Sequence, residues 1–200
     1  MKIRYLAIER EYGSGGTTIA RSLSRETGIP CYGPEILEYV ANKYHRSVSD
    51  IQRLEESATG SLLYSLYTLA QLSSGNADML TEEGRLYVAE QEAIQHFARQ
   101  GPAIFLGHCA AEALKGQKGV VRVFIRCTDR AEKHARIAEE YGIPERDIEE
   151  TKRKFDKKRS GYYYANTTKK WDDSRNYDMI LDSAVLGTDT CVHVLKACLS

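Results

Sequence analysis

The sequence predicts a single α/β domain in which a mostly parallel sheet carries helices on both faces. A short apolar strand over residues 3–8 runs into the glycine-rich segment 13–16 and then into a helix with apolar residues three to four positions apart. Further short apolar runs alternate with helical patterns, so right-handed strand–helix–strand crossovers are expected. With 200 residues, the chain has the size of one domain with a sizeable core.

The predicted elements follow from periodicity and from helix-ending residues. Strands are expected over residues 3–8, 29–32, 103–106, 120–125 and 177–182, and helices over residues 17–27, 34–44, 129–141, 144–164 and 188–199. Gly28 is the expected C-terminal cap of the first helix. The segment 47–100 is predicted to be almost wholly helical, with Ser49 capping a helix that begins at Asp50. Its apolar stripes lie at 62–70 and 86–97, on either side of a loop at 73–76.

The composition excludes several classes of protein. Lys and Arg number 28, as do Asp and Glu, and this zero net charge argues against bulk nucleic-acid binding. No apolar run reaches the ~18 residues that span a bilayer, and the apolar start is too short for a signal peptide. The five cysteines are scattered without a C-x-x-C pair, which argues against a disulfide framework and a zinc site. A cytoplasmic protein with reduced thiols is therefore expected.

The glycine-rich segment lies where open α/β sheets bind ligands, beyond the carboxyl end of a strand. Glycines let backbone N–H groups close on phosphate oxygens, and the following helix adds its positive N-terminal dipole. The residues predicted to hold phosphate are Gly13, Ser14, Gly15, Gly16, Thr17 and Thr18. The hydroxyls of Thr17 and Thr18 are placed to bind phosphate or Mg²⁺. The alternative interpretation is a tight strand-to-helix turn without a ligand.

The loop lacks one cation of the phosphate-binding consensus G-x-x-x-x-G-K-[ST]. When Gly15 is matched to the second glycine of that motif, Gly16 stands where the lysine belongs and Arg10 stands at the first glycine. The consensus lysine normally reaches the β- and γ-phosphates, so its absence is a chemical deficit.

A second candidate site lies on the helix near the C-terminal third of the chain. Asp156, Arg159 and Tyr163 share one face of it by helical spacing, and basic residues including Arg153 and Lys157 surround them. Arginines on a mobile segment are suited to neutralise charge on a transferred phosphoryl group. The alternative is a solvated basic helix. The polar stretch 167–176 is expected to be an exposed, mobile loop, in which Trp171 is either of functional interest or simply pins the loop to the core.

Taken together, these segments resemble the cytidylate kinase-like family, a branch of the P-loop nucleoside monophosphate kinases. The resemblance covers nearly the whole chain in order. It is carried by residues 9–16 (EREYGSGG), 29–32 (IPCY), 107–109 (GHC), 156–163 (DKKRSGYY), 170–171 (KW) and 177–183 (YDMILDS). The loop and the later basic, tyrosine-rich run are its most specific parts.

The resemblance implies a three-layer α/β/α P-loop fold with a core, over residues 1–33 and 101–200. Within this single domain it implies a helical nucleoside-monophosphate-binding region at about 34–100 and a lid at about 144–176. It also implies transfer of the ATP γ-phosphoryl group to a nucleoside monophosphate such as CMP or dCMP, with Mg²⁺. The residues assigned to catalytic charge are Arg153, Lys157 and Arg159. The residues assigned to the acceptor are Arg10, Tyr32, Gly33, His108, Asp156 and Tyr163.

The chain departs from the family pattern at two further cations. His108 stands where related sequences have the arginine of G-R-D or G-R-C, and Thr17 stands where an arginine often follows the glycine loop. Each charge-assisted phosphate contact is worth about 1.5–3 kcal/mol, so replacements are needed for efficient turnover. Arg10, Arg153 and Arg159 are the candidates.

Three functional hypotheses follow. The first is a nucleoside-monophosphate-type kinase. The second is a non-catalytic nucleotide- or phosphate-binding protein with a degraded site. The third is a dimerisation protein that uses residues 47–100 as the interface of a homodimer.

Overall fold

The computed structural model describes residues 2–57 and 81–199. The strands are β1 (Tyr5–Arg10), β2 (Cys31–Tyr32), β3 (Ala103–Leu106), β4 (Val120–Arg126) and β5 (Met179–Asp182). The helices are α1 (Gly16–Thr27), α2 (Pro34–Tyr44), α3 (Val48–Ser57), α4 (Glu82–Gln100), α5 (Ala110–Ala113), α6 (Arg130–Tyr141), α7 (Glu145–Thr167), α8 (Ser183–Leu186) and α9 (Thr188–Cys198), with a 3₁₀ turn at Ser174–Asn176. The apolar stripe predicted at 62–70 and the loop predicted at 73–76 lie outside the described residues.

The five strands form one sheet in the order β2-β3-β1-β4-β5, with every neighbouring pair parallel. The α/β fold with a parallel sheet is therefore confirmed. β1 is the central strand and pairs with β3 on one side and β4 on the other. Because all strands are parallel, the loops that follow β1, β2 and β3 open at the same edge of the sheet.

Both faces of the central strand are buried, which explains its continuous apolar run. Tyr5 and Ala7 pack against α2 to α5 on one face, whereas Leu6 and Ile8 pack against α1 and α9 on the other. The result is the three-layer arrangement that the sequence predicts. In the described part of the chain, no helix has the length and apolar character needed to cross a bilayer.

Most helix ends follow from local capping. Gly28 takes a left-handed conformation with φ 69° and its amide donates to the Ser24 carbonyl oxygen, so the predicted cap is confirmed. The predicted cap at Ser49 is wrong. Helix α3 begins at Val48, and the Ser47 hydroxyl accepts from the amide of Asp50 at 3.1 Å. Ser49 lies inside the first turn of this helix, whereas Ser47 precedes the helix and stands three residues before the donating amide.

The polar stretch 167–176 is not the uniformly exposed loop that its composition indicates. Helix α7 continues to Thr167, and the Trp171 ring is only 6% exposed. The Trp171 indole N–H donates to a carboxylate oxygen of Glu9 at 3.2 Å, and its ring packs edge-on against Phe124. The tryptophan pins the segment to the end of β1, as one of the two sequence interpretations holds.

Candidate functional site

The glycine loop between β1 and α1 has the left-handed backbone that its glycines permit. Gly13 and Gly15 have φ of 73° and 74°. A Cβ atom on Gly13 would lie 2.6 Å from Cγ1 of the buried Ile137, so this position also excludes any side chain for lack of space. The loop conformation therefore depends on glycine through both sterics and backbone dihedrals.

Five carbonyl groups of the loop accept hydrogen bonds from protein donors. The acceptors and their donors are Arg10 O with Arg159 Nη1 (3.0 Å), Glu11 O with Ser14 Oγ (2.8 Å), Gly13 O with Arg136 Nη1 (2.8 Å), Ser14 O with Ser183 Oγ (2.8 Å), and Gly15 O with the Ile19 amide (2.8 Å). Four of the donors lie on α1, α6, α7 and α8, and the fifth, the Ser14 hydroxyl, belongs to the loop itself. These bonds fix the orientation of five peptide units in the loop.

Four of the loop's amides are uncommitted. The N–H groups of Gly13, Gly15, Thr17 and Thr18 donate to no acceptor within residues 2–57 and 81–199. Gly16 donates only a long bond of 3.4 Å to Ser14 Oγ. Uncommitted amides at the start of a 12-residue helix form an anion-binding site, because both the N–H groups and the helix dipole favour negative charge.

Two carboxylates fasten the outer side of the loop. Glu11 Oε2 accepts from the amide of Cys127 at 3.1 Å and from the ammonium of Lys133 at 2.8 Å. Asp156 Oδ1 accepts from the amide of Tyr12 at 2.7 Å. Burial raises the pKa of the Asp156 carboxyl, while the Tyr12 amide and Arg159 oppose that rise. The loop is thus held by α6 and α7 before any ligand arrives, which limits the ordering cost of binding.

A cavity of about 440 Å³ lies beside the loop, between β1, the start of α2, the segment after β3, and α7. Its lining includes four side chains able to carry positive charge, namely Arg10, His108, Lys158 and Arg159. Its apolar and aromatic wall includes Leu37, Leu106, Phe155, Tyr162 and Tyr163. Burial raises the pKa of the Tyr163 phenol further above neutral pH. The lining also includes Glu9, whose carboxylate accepts from the Trp171 indole. A lining with more cationic than anionic side chains, together with aromatic rings, suits a small ligand that combines phosphate with a planar ring.

The segment after β3 is strained. Gly107, His108 and Cys109 have φ of 83°, 56° and 52°, and left-handed conformations at non-glycine residues typically cost about 1–3 kcal/mol. His108 Nδ1 lies 3.5 Å from a carboxylate oxygen of Glu90, a fully buried residue that also accepts from the Tyr162 hydroxyl. Glu90 interrupts the apolar stripe 86–97, and that interruption is the sequence signal that could have identified it.

The second cavity, of about 570 Å³, lies on the other side of Arg10 along α1. Its lining includes Thr17, Arg21, Arg25 and Glu35, and it shares Arg10, Gly33, Pro34 and Leu106 with the first cavity. The two cavities therefore meet at these four residues, of which Arg10 is the only one with a charged side chain.

The structure brings together only part of the predicted site. The residues that line the first cavity are Arg10, Gly33, His108, Arg159 and Tyr163, and Asp156 binds the loop beside it.

Some other predicted residues lie outside the cavities. Arg153 and Lys157 are exposed and line neither cavity, whereas their neighbour Lys158 lines the first one. Tyr32 lines neither cavity and is half-buried against the core, where its ring stacks on Phe97 with centroids 4.1 Å apart. The Thr18 hydroxyl donates to Glu140 at 3.0 Å, which leaves the Thr17 hydroxyl as the one at the loop without such a bond among the described residues.

A parallel sheet of this order, with a glycine loop between its central strand and the first helix, defines a P-loop kinase fold. The chain belongs to the cytidylate kinase-like family, which matches it over residues 5–185. Membership supports a nucleotide kinase in general, acting on a small phosphate acceptor.

Solved structures share this fold. An uncharacterized protein from Eubacterium ventriosum ATCC 27560 superposes with a TM-score of 0.72 at 24% identity, over 99% of this chain and 98% of that chain. Shikimate kinase from Bacteroides thetaiotaomicron superposes with a TM-score of 0.50 at 12% identity, over 98% and 97% of the two chains. A sugar kinase from Janibacter sp. HTCC2649 gives 0.50 at 16% identity, over 98% and 94%. No curated protein matches the chain.

Proposed function

We propose that this protein transfers the γ-phosphoryl group of ATP, with Mg²⁺, to a nucleoside monophosphate, with CMP or dCMP favoured. The observation that carries the proposal is the set of four uncommitted amides at residues 13, 15, 17 and 18, next to a cavity with cationic side chains. Such an arrangement holds donor phosphates on one side and an acceptor phosphate on the other. Because ATP is the donor, the cytoplasm is the proposed location.

On the donor side, residues 13–18 would hold the phosphates of ATP, and the Thr17 hydroxyl would be a ligand of Mg²⁺. The fit is reasonable, since Thr17 stands at the hydroxyl position of the consensus and opens α1 beside the amides. The described residues contain no group of three His, Cys, Asp or Glu side chains around a common point. The ion would therefore be shared with phosphate oxygens, as Mg²⁺ commonly is, and it would neutralise charge on them.

On the acceptor side, Arg159, Lys158, Arg10 and His108 would hold the acceptor phosphate, with the aromatic wall against the base. We assign the nucleoside-monophosphate-binding role to the helices at about 34–100 and the lid role to about 144–176. Both regions line the cavity, through Leu37 and Tyr162. The homodimer stays a prediction, since much of residues 47–100 lies outside the described residues.

The proposal is tested by incubating the purified protein with MgATP and a panel of nucleoside monophosphates, shikimate and simple sugars, and detecting ADP together with the phosphorylated acceptor. We expect CDP or dCDP as the main product. Turnover with shikimate or a sugar alone would contradict the acceptor class. An absence of turnover across the panel would remove the enzymatic proposal.

The second candidate is a nucleotide-binding protein without catalysis. It is favoured by the histidine at position 108 and by the missing loop lysine, since both lower the charge available to a transition state. It predicts that ATP raises the melting temperature, because a ligand that binds only the native state stabilises it, while no phosphoryl transfer occurs. If ATP, ADP, CMP and sulfate all leave the melting temperature unchanged, this candidate is wrong as well.

A further inference from the structure

We propose that Arg10 supplies the phosphate-binding cation that a lysine at position 16 supplies in the consensus loop, so that the two departures at positions 10 and 16 compensate for each other. The inference rests on the proposed function, because the anion it concerns is the phosphate chain of a bound nucleotide.

The first step is the space beside Gly16. A Cβ atom built on Gly16 would lie 2.6 Å from Cβ and 2.9 Å from Cγ of Arg10. The stem of Arg10 therefore fills the volume into which a side chain at position 16 would project. A lysine at position 16 is excluded by Arg10, and the backbone of Gly16, which has no positive φ, does not itself require glycine.

The second step is the course of the Arg10 side chain. From the end of β1 it passes Gly16 and reaches the segment after β3, where Nη1 lies 2.6 Å from the position of a Cβ atom on Gly107. Arg10 lines both cavities, which no lid residue does. Its guanidinium thus lies at the junction of the donor loop and the acceptor cavity, the place where a cation can contact phosphates on both sides.

The third step is a comparison with the other replacement candidates. Arg153 is exposed and lines neither cavity. Arg159 lines the acceptor cavity from α7 and donates to the carbonyl oxygen of Arg10. Arg10 is therefore the candidate whose side chain runs through the place left by the missing lysine.

The amino-acid sequence also links positions 10 and 16. Residues 10–17 read R-E-Y-G-S-G-G-T, and they differ from G-x-x-x-x-G-K-[ST] only at the first and seventh positions. The paired substitutions Arg10→Gly and Gly16→Lys would complete the consensus. Each sequence therefore has one cation beside the loop. In this protein the cation is Arg10, at the end of β1, and in the consensus it is the lysine at the start of the following helix.

The test compares five full-length proteins by calorimetric titration with MgADP and MgATP and by thermal unfolding. These are the wild type, Arg10→Gly, Gly16→Lys, Arg10→Gly with Gly16→Ala, and Arg10→Gly with Gly16→Lys. Arg10→Gly should weaken nucleotide binding about 10- to 100-fold, as expected for the loss of a charge-assisted phosphate contact. Gly16→Lys alone should lower both the melting temperature and the affinity, because its Cβ meets the stem of Arg10.

The two double variants test whether a cation at position 16 can replace Arg10. Both remove the Arg10 side chain, and only Arg10→Gly with Gly16→Lys restores a cation. Arg10→Gly with Gly16→Ala should bind as weakly as Arg10→Gly, and Arg10→Gly with Gly16→Lys should regain about tenfold or more. Equal affinity of the two double variants, or wild-type affinity in Arg10→Gly, would overturn the inference and leave the proposed function standing. A wild-type protein that binds neither nucleotide would instead refute the proposed function, and the inference with it.

Discussion

Replacing Gly13 with alanine should destabilise the protein by about 2–5 kcal/mol and abolish nucleotide binding. The left-handed backbone at this position, with φ 73°, costs an L-residue roughly 1–2 kcal/mol. The new Cβ would also meet Ile137, which is fully buried, at 2.6 Å, and Lys133 Cγ at 2.9 Å. Overpacking of this kind costs about 1–3 kcal/mol. Relief of the contact requires the loop to move away from α6, and the uncommitted amides would move with it.

The measurement is the free energy of unfolding in urea, together with MgADP titration. Gly142→Ala is a matched control, because Gly142 ends the same helix α6 with φ 63° and a Cβ atom there would meet nothing within 4 Å. The control should lose only the backbone contribution of about 1–2 kcal/mol and keep its nucleotide affinity. Equal losses in the two variants would show that the contact with Ile137 contributes nothing.

Replacing Arg159 with alanine should lower kcat by about 10³-fold or more, with a smaller change in KM. The Arg159 guanidinium donates to the Arg10 carbonyl oxygen, lies 5.7 Å from the centroid of the Tyr12 ring and lines the acceptor cavity. An arginine in this position stabilises charge that develops on the transferred phosphoryl group, and such arginines are worth about 10³–10⁵ in rate.

The control for Arg159 is Arg153→Ala, which removes the same charge from the same helix at an exposed position outside both cavities. Steady-state kinetics with the acceptor identified by the panel should show a near wild-type kcat for this control. Arg159→Lys should recover only part of the rate, because an ammonium lacks the planar fork of the guanidinium. A loss confined to KM, or one equally large in Arg153→Ala, would contradict the catalytic role of Arg159.

Much of the fold could be predicted because its determinants are local. The apolar run of β1, the glycines after it and the helical spacing of α1 are contiguous in sequence, and each restricts the backbone directly. The parallel arrangement followed from alternating strands and helices. The strand order did not, because β1 lies between strands that begin about 100 and 115 residues later, and no local pattern encodes that pairing.

Helical spacing predicts which residues of the candidate site share one face of a helix, and motif spacing predicts which residues form the loop. Asp156, Arg159 and Tyr163 do share the face of α7 that meets the loop and the cavity. Sequence could not choose between Lys157 and Lys158, since adjacent residues point about 100° apart and only the packing of α7 decides which one enters the cavity.

The comparison of residues 10–17 with the consensus motif shows the compensation between Arg10 and Gly16 only as two mismatches. That the two mismatches are related can be seen only in three dimensions. The direction of the Arg10 side chain at the end of β1, and its passage beside Gly16, are tertiary facts. The polar composition of residues 167–176 predicts an exposed loop, and that prediction is wrong at Trp171 because tertiary packing again decides the outcome. Many charges surround Trp171, yet one large aromatic ring with a hydrogen-bonded indole outweighs them and anchors the segment.

Phosphate binding by the uncommitted amides of the loop is tested most directly by titrating ¹⁵N-labelled protein with MgATP and following the backbone amide resonances. We expect large downfield proton shifts at Gly13, Gly15, Thr17 and Thr18, because these N–H groups would exchange water for phosphate oxygens as acceptors. The amide of Tyr12, which already donates to Asp156, should move far less. Saturation by MgATP with those four resonances unmoved would show that the nucleotide binds elsewhere and would contradict the account.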